Sequence, residues 1–467
     1  MHLTLKEKIS YGLGAVGKDM VYMLSASYVL YYFQDVLGVS AIAMGVILLA
    51  ARIFDAFNDP VMGVIVARTR TRWGRLRPWL LTGTLTNAVV LFLMFAAPPK
   101  LDAGGLVAYA AITYILWGVT YTMMDIPYWS MIPAFTQSGK ERENLSAFAR
   151  ACAGVGSAVI TVVTMKAVYA LGGGNELIGF RWFAGIVAVL FAAFIAVTCI
   201  NIKEKSTADI DSPSVKQMFK ALLGNDQAMA VVITIVLVNC SIYLTSNLVI
   251  YFFKYDFGGT KWYDGYTLFN TFGGAMQILA MIAFFPLLRR FFDTRRVFYV
   301  SLFLGMAGYA VLLVLAFVNM SSVFLLFIPA FCIFSANGLV SVLTTIFLAN
   351  TVEYGELVNS RRDESVIFSM QTFVVKLASG VAVLLASVGL SVFRLSGDAV
   401  TEADKLRDFS EGVSAASKTG LRMTMTVLPV IGLTAAVIWF ARRYKLTDGR
   451  MKEINSLLAA RRGEGEK

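Results

Sequence analysis

AIAMGVILLAARIFDAFNDPVMGVIVARTRTRWGRLRP, residues Ala41 to Pro78, decides the fold class. Its apolar run from Ala41 to Ala67 is long enough for a membrane-spanning helix of about 20 residues. Arg68, Arg70, Arg72, Arg75 and Arg77 then follow within one short loop. An apolar run closed by a basic loop is how a helix that crosses a bilayer ends on the cytoplasmic side. Similar blocks recur, for example Trp79 to Pro98 and Val297 to Val318, and counting them gives about twelve. Composition agrees: 57% of the 467 residues are apolar and 15% charged, with a mean hydropathy of +0.68. A soluble core does not need that much apolar surface, and a bilayer does. The expected fold is an all-α membrane protein with about twelve transmembrane helices.

The +11 net charge is not a nucleic-acid signature, because the basic residues sit in short loops between spans. Lys6 and Lys8 precede the first span. Lys140 and Arg142, Lys203 to Lys220, Arg289 to Arg296, and Arg361 with Arg362 follow on the same side, and the tail from Arg442 is also basic. The opposite loops hold Lys100 beside Asp102, and a stretch from Ser396 to Ser417 in which acids outnumber bases. An even number of spans with both termini cytoplasmic satisfies this bias. The N-terminus shows no cleavable leader, so the first span is the insertion signal. Cys152, Cys199, Cys240 and Cys332 fall in apolar stretches without paired or metal-like spacing and read as inert core residues.

A polar linker over 201–227 divides the chain into an N-terminal six-helix bundle (1–200) and a C-terminal one (228–441), followed by a cytoplasmic tail (442–467). RTRTRWGRLRP after the second span and RRFFDTRR after the second span of the second half point to duplicated bundles. In the tail, Ile454, Leu457 and Leu458 give MKEINSLLAARR the spacing of an amphipathic surface helix. GLGAVG, Gly12 to Gly17, matches a dinucleotide fingerprint only formally. No strand precedes it, and small residues inside a span permit close helix packing.

Function is carried by ionisable residues at mid-span, where a charge costs about 2.5 to 3.5 kcal/mol on insertion scales. In the first half these are Lys18, Asp19, Arg52, Asp55, Asp59, Asp125 and Arg150, and the second half offers mainly Lys376. The four cations and four anions balance. Arg52, Asp55, Asn58 and Asp59 occupy one face of the second span, with Pro60 freeing a backbone carbonyl. Two carboxylates and an amide oxygen form a hard oxygen site for a small cation, and Asn58 favours a metal ion over a proton. Tyr121, Asp125 and Trp129 stand at i, i+4 and i+8 on the fourth span, with Thr122 one turn before Asp125. An indole covers the apolar face of a pyranose while a carboxylate or guanidinium binds its hydroxyls, so Trp129 with Asp19, Asp125 and Arg150 reads as a sugar pocket.

Five stretches resemble the glycoside-pentoside-hexuronide:cation symporters of the major facilitator superfamily, and among them the melibiose permeases. They are SYGLGAVGKD (Ser10–Asp19), ARIFDAFNDPVMG (Ala51–Gly63), RTRTRWGRLRPW (Arg68–Trp79), YILWGVTYTMMDIPYWS (Tyr114–Ser130) and QTFVVK (Gln371–Lys376). The resemblance runs nearly end to end. It implies a two-bundle transporter in a bacterial cytoplasmic membrane, working as a monomer by alternating access, with no enzyme activity and no cofactor beyond a coupling Na⁺, Li⁺ or H⁺. By matching motif it implies that Asp55, Asn58, Asp59 and Thr122 hold the cation, with Na⁺ at Asp55 and Asp59. It implies that Lys18, Asp19, Tyr121, Asp125, Trp129 and Arg150 meet the sugar, with Gln371, Thr372 and Lys376 approaching from the other bundle. Arg142, Arg295, Glu353 and Arg362 match a cytoplasmic ionic lock. Ser341 stands where melibiose permeases carry a second tryptophan, which removes a stacking surface. The rival class is a cation-coupled exporter of a drug or other amphiphile, which has no need of Asp19 and Arg150 beside Trp129. A channel would need a continuous polar file. An intramembrane enzyme would need nucleophile and base motifs, and His2 is the only histidine.

Overall fold

The computed structural model describes residues 3–98, 101–135, 140–203, 216, 220, 222–318, 320, 322–359, 364–395 and 408–465. Among these residues the regular structure is helical. In a bilayer that is the solution by which each segment satisfies its own backbone polar groups. The helices are α1 (Leu5–Tyr31), α2 (Ala41–Arg68), α3 (Arg77–Met94), α4 (Ala103–Phe135), α5 (Lys140–Gly172) and α6 (Glu176–Asn201). They continue as α7 (Asp226–Phe252), α8 (Trp262–Arg289, with a π-helical stretch at Ala280–Phe284), α9 (Thr294–Val318), α10 (Phe327–Asn359), α11 (Glu364–Val392), α12 (Ala415–Arg443) and α13 (Asp448–Gly465). Ten of them are long and apolar enough to span a membrane unaided. With α1 and α3, which are held below that mark by charged and polar residues such as Lys18, Asp19, Arg77 and Asn87, the described residues reach the expected twelve.

Large apolar side chains stand outward along these helices, among them Phe57, Val189, Phe303 and Ile282. Exposure on that scale is the mark of a lipid-facing surface.

The chain divides into two compact units. The first gathers α1–α6 and adds Gly258–Thr267, the end of α11 from Ser387, and residues 408–413. The second holds α7, α8 from Leu268 onward, α9, α10, the rest of α11, α12 and α13. Inside the first unit α1 packs most extensively on α5 and α6, through the glycine-rich face. A methyl at Gly12 would meet the Phe148 ring at 2.6 Å, and one at Gly14 would meet Thr198 Oγ1 at 2.5 Å. The GLGAVG run is therefore a packing surface, as its context implied.

Both units end their first helix in a π-helical turn, Tyr32–Val36 after α1 and Phe253–Phe257 after α7, each enclosing an aspartate, Asp35 and Asp256. This is a second trace of duplication. In the tail, α13 buries Met451, Ile454 and Leu458, at i, i+3 and i+7, while Leu457 is exposed. The buried edge of that helix thus runs one residue off the expected trio, because three-then-four spacing favours Met451 over Leu457. Of the cysteines only Cys199 is buried; the other three are half-buried, and all four are free thiols.

Candidate functional site

Two clusters form inside the first unit, and α4 contributes to both. Lys18 of α1 is buried, with Nζ 2.9 Å from Asp19 Oδ1 and 2.8 Å from Asp125 Oδ1. It also donates to the Tyr121 hydroxyl at 3.4 Å and lies 5.0 Å from the centre of the Trp129 ring. The Arg150 guanidinium of α5 stands over the same indole at 5.4 Å. All six first-half sugar candidates therefore share one cluster. Ser157, which sequence reasoning passed over, donates to Asp19 Oδ2 at 3.3 Å. Its signal was available, since it lies seven residues after Arg150 on the same helix face.

This cluster keeps partly open carboxylates on Asp19 and Asp125. A buried ammonium between two carboxylates is compensated, which makes it tolerable in low dielectric. Asp125 Oδ1 is engaged by the Lys18 ammonium, while 30% of the Asp125 side chain stays exposed. A partly open carboxylate beside an indole suits a hydroxyl-bearing ligand. Aromatic stacking stiffens the wall: Tyr114 on Trp117 at 5.7 Å and Trp117 on Tyr121 at 5.2 Å. Tyr11 and Tyr128 lock α1 to α4 reciprocally, each hydroxyl donating to the other's backbone carbonyl, at 2.7 and 2.5 Å.

The second cluster joins α2 to α4. Arg52 and Asp55 are buried while Asn58 and Asp59 are half-buried, and the intervening Ile53, Phe54 and Phe57 face outward, so the polar stripe holds together. Thr122 Oγ1 donates to Asp59 Oδ1 at 3.0 Å. One turn away, a side chain at Gly118 would collide with the Asp55 carboxylate. Asp55 and Asp59 thus face Gly118 and Thr122 in register, and the glycine makes room for the first carboxylate. Arg52 Nη1 lies 3.6 Å from Asp55 Oδ2, and its guanidinium is steadied by the rings of Tyr22 and Tyr114 at 5.8 and 6.0 Å. This stripe therefore holds one guanidinium and two carboxylates.

The second-half candidates Gln371, Thr372 and Lys376 lie on α11 in the second unit: Gln371 and Lys376 half-buried, Thr372 exposed. Ser341 is exposed at the middle of α10 and donates to the Asn337 carbonyl at 2.9 Å. Of the lock candidates, Arg295 and Glu353 are half-buried in the second unit, and the side chain of Arg142 and the whole of Arg362 lie outside the described residues. Away from mid-span the second half encloses a further charge pair: Asp256, wholly enclosed, takes two hydrogen bonds of 2.7 Å from Arg422, and Lys254 is buried nearby. The sequence reading singled out none of these residues. The π-helical turn after α7 and the start of α12 enclose them.

The sugar-transport model of the major facilitator superfamily, MFS/sugar transport protein, matches residues 10–448. This chain belongs to that family. It is a multi-pass membrane transporter and not an enzyme. It is 27% identical to the inner membrane symporter YicJ of Escherichia coli (strain K12), across 98% of this chain and 95% of the relative. It is also 27% identical to the lactose permease of Lactobacillus delbrueckii subsp. bulgaricus, across 99% and 74%. The solved structure of a proton-dependent oligopeptide transporter shares the fold, with a TM-score of 0.67 at 13% identity over 96% of this chain and 99% of the other.

Proposed function

We propose that this family member is a secondary active symporter that carries a glycoside inward with Na⁺, Li⁺ or H⁺ by alternating access across the bacterial cytoplasmic membrane, both termini lying in the cytoplasm. The observation that carries it is α4. Thr122 turns towards Asp59 while its neighbour Tyr121 and, three residues on, Asp125 turn towards Lys18. A cation seated at Asp55, Asn58, Asp59 and Thr122 therefore pulls on the same helix that forms the sugar wall. Coupling between two sites is reciprocal and typically about 1 to 3 kcal/mol.

In this reading Lys18, Asp19, Tyr121, Asp125, Trp129 and Arg150 bind the sugar, with Gln371, Thr372 and Lys376 supplied by the second unit. Arg142, Arg295, Glu353 and Arg362 close the cytoplasmic side. Relatives named for lactose and for isoprimeverose support a glycoside cargo. Ser341 in place of an aromatic points away from melibiose and towards a sugar that needs one stacking face. The test is uptake of labelled glycosides into vesicles with and without a Na⁺ gradient, alongside Asp59→Cys. The variant should bind sugar but lose cation-enhanced affinity. Na⁺-driven accumulation by Asp59→Cys would remove the cation site from this stripe.

A further inference from the structure

The first unit holds a buried carboxylate that the transport chemistry does not use. Glu176 opens α6 directly after its cap Asn175, and its side chain is almost wholly enclosed. The first helical turn favours an acid, but the dipole would serve an exposed one equally well. Burial requires donors. They are two phenols from other helices: Tyr31 of α1 donates to Oε2 at 2.7 Å, and Tyr169 of α5 donates to Oε1 at 2.5 Å. One carboxylate thereby fixes two rings.

Those rings seat a remote piece of chain, Gly258–Thr267, where α7 hands over to α8. Trp262 is buried with its ring 6.3 Å from both Tyr31 and Tyr169, and Tyr263 stacks on Tyr169 at 4.3 Å. Tyr266 reaches the Tyr28 hydroxyl at 3.5 Å, and Asp264 meets Lys166 at 3.2 Å. The two kinds of contact differ in strength. Short charge-assisted bonds lie inside the seat, among α1, α5 and α6. Between this seat and the strap the contacts include ring packing, one long hydroxyl bond and an ion pair whose side chains are half exposed, which solvent weakens; the strap's start is tied elsewhere, Gly259 N–H donating to Asp408 Oδ2 at 2.9 Å. A seat that stays formed under a strap that can lift is the arrangement a gate needs. α8 begins in the first unit and continues from Leu268 in the second, so this segment is where the helix passes from one unit to the other. The cluster lies at the helix ends remote from the basic loops.

We propose that Glu176 is a positioning residue of an outer latch, setting Tyr31 and Tyr169 as the seat for Trp262, and that lifting Trp262–Thr267 off this seat opens the transport path to the outer face. This rests on the symport reading. The test uses the full chain in lipid vesicles, with its four cysteines replaced by alanine and Thr161→Cys as reporter, alkylated by a membrane-impermeant thiol reagent added outside. Glu176→Gln, or Tyr31→Phe with Tyr169→Phe, should speed external alkylation roughly tenfold, the response to a tenfold shift in a two-state equilibrium. Lys166→Asp should speed it less, and adding Asp264→Lys should reverse that gain. Unchanged alkylation in all of these, with only a lowered Tm, would make Glu176 a structural carboxylate and overturn the latch. Failure of the charge swap to restore the parent rate would remove Lys166 and Asp264 from it. Cation-dependent sugar binding, measured by calorimetry on the same proteins, separates the two ideas: its absence in the parent protein counts against symport, whatever the alkylation shows.

Discussion

In the first unit Lys18 holds two carboxylates that remain partly open, the Asp19 and Asp125 side chains being 22% and 30% exposed. In the second, Asp256 is fully enclosed and meets Arg422 through two parallel bonds. Both arrangements bury opposite charges in apolar surroundings, yet they do different things. The bidentate pair sets Nε and Nη2 of the guanidinium on both carboxylate oxygens, leaving the carboxylate little room for a ligand. The Lys18 cluster spreads one ammonium over three oxygens and leaves Asp125 partly open. Openness, rather than burial of charge, sets the Lys18 cluster apart from the Asp256 pair.

The comparison can be broken most sharply at Asp256. Removing one partner of a buried pair leaves an uncompensated charge and costs about 3 to 5 kcal/mol. Asp256→Ala should therefore lower the unfolding midpoint of the purified protein strongly, while the fraction that folds still binds sugar with parental affinity. A stable Asp256→Ala protein that has lost sugar binding would place this pair in the site and dissolve the distinction. Asp125→Ala is the next largest effect and the opposite in kind. Each ligand hydroxyl left unpaired in a dry pocket costs about 1 to 3 kcal/mol, so two of them predict a loss of sugar affinity above about a hundredfold. Stability should shift far less than in Asp256→Ala, and near-normal affinity by calorimetry would end the role given to Asp125.

The smallest effect concerns α13, whose Asp448 lies outside the spans. Burial pushes its carboxyl up, but hydrogen bonds from Thr294 and Arg289 outweigh this and hold it below the usual value. A carboxyl depressed by folding contributes stability above its ordinary pKa, near about 4, and loses it as pH falls through the folded value. Docking of α13 should thus be constant from neutral pH down to about 5 and weaken only below about 4. Asp448→Asn should flatten that acid response and cost under about 1 kcal/mol at neutral pH, since the pair is partly solvated. Limited proteolysis of the tail across pH would read both, and an acid response surviving in Asp448→Asn would assign it to another group.

Sequence carried the span count and the polar stripes of α2 and α4, because lipid imposes long apolar blocks and a charge inside one needs a partner. It also carried the meeting of Lys18, Asp19, Tyr121, Asp125, Trp129 and Arg150, through helix periodicity and family resemblance. It did not carry Glu176, Asp256 or Arg422. Glu176 and Asp256 lie at helix ends and Arg422 stands in the first part of α12, and sequence alone cannot tell a solvated charge there from one roofed over by a distant segment. Gly118 was equally silent, since its use is the room it leaves for a carboxylate on another helix.

At Gly156 of α5 a methyl group would run into the backbone carbonyl of Val16. Because the obstacle is main chain, no rotamer change relieves it, and α1 and α5 are bound to a single spacing. Lys18 and Asp19 follow Val16 closely on one helix, and Arg150 precedes Gly156 on the other. The charges at this end of the pocket are thereby a fixed inheritance. In the proposed sugar cluster the freer positions are then those of α4, Asp125 and Trp129.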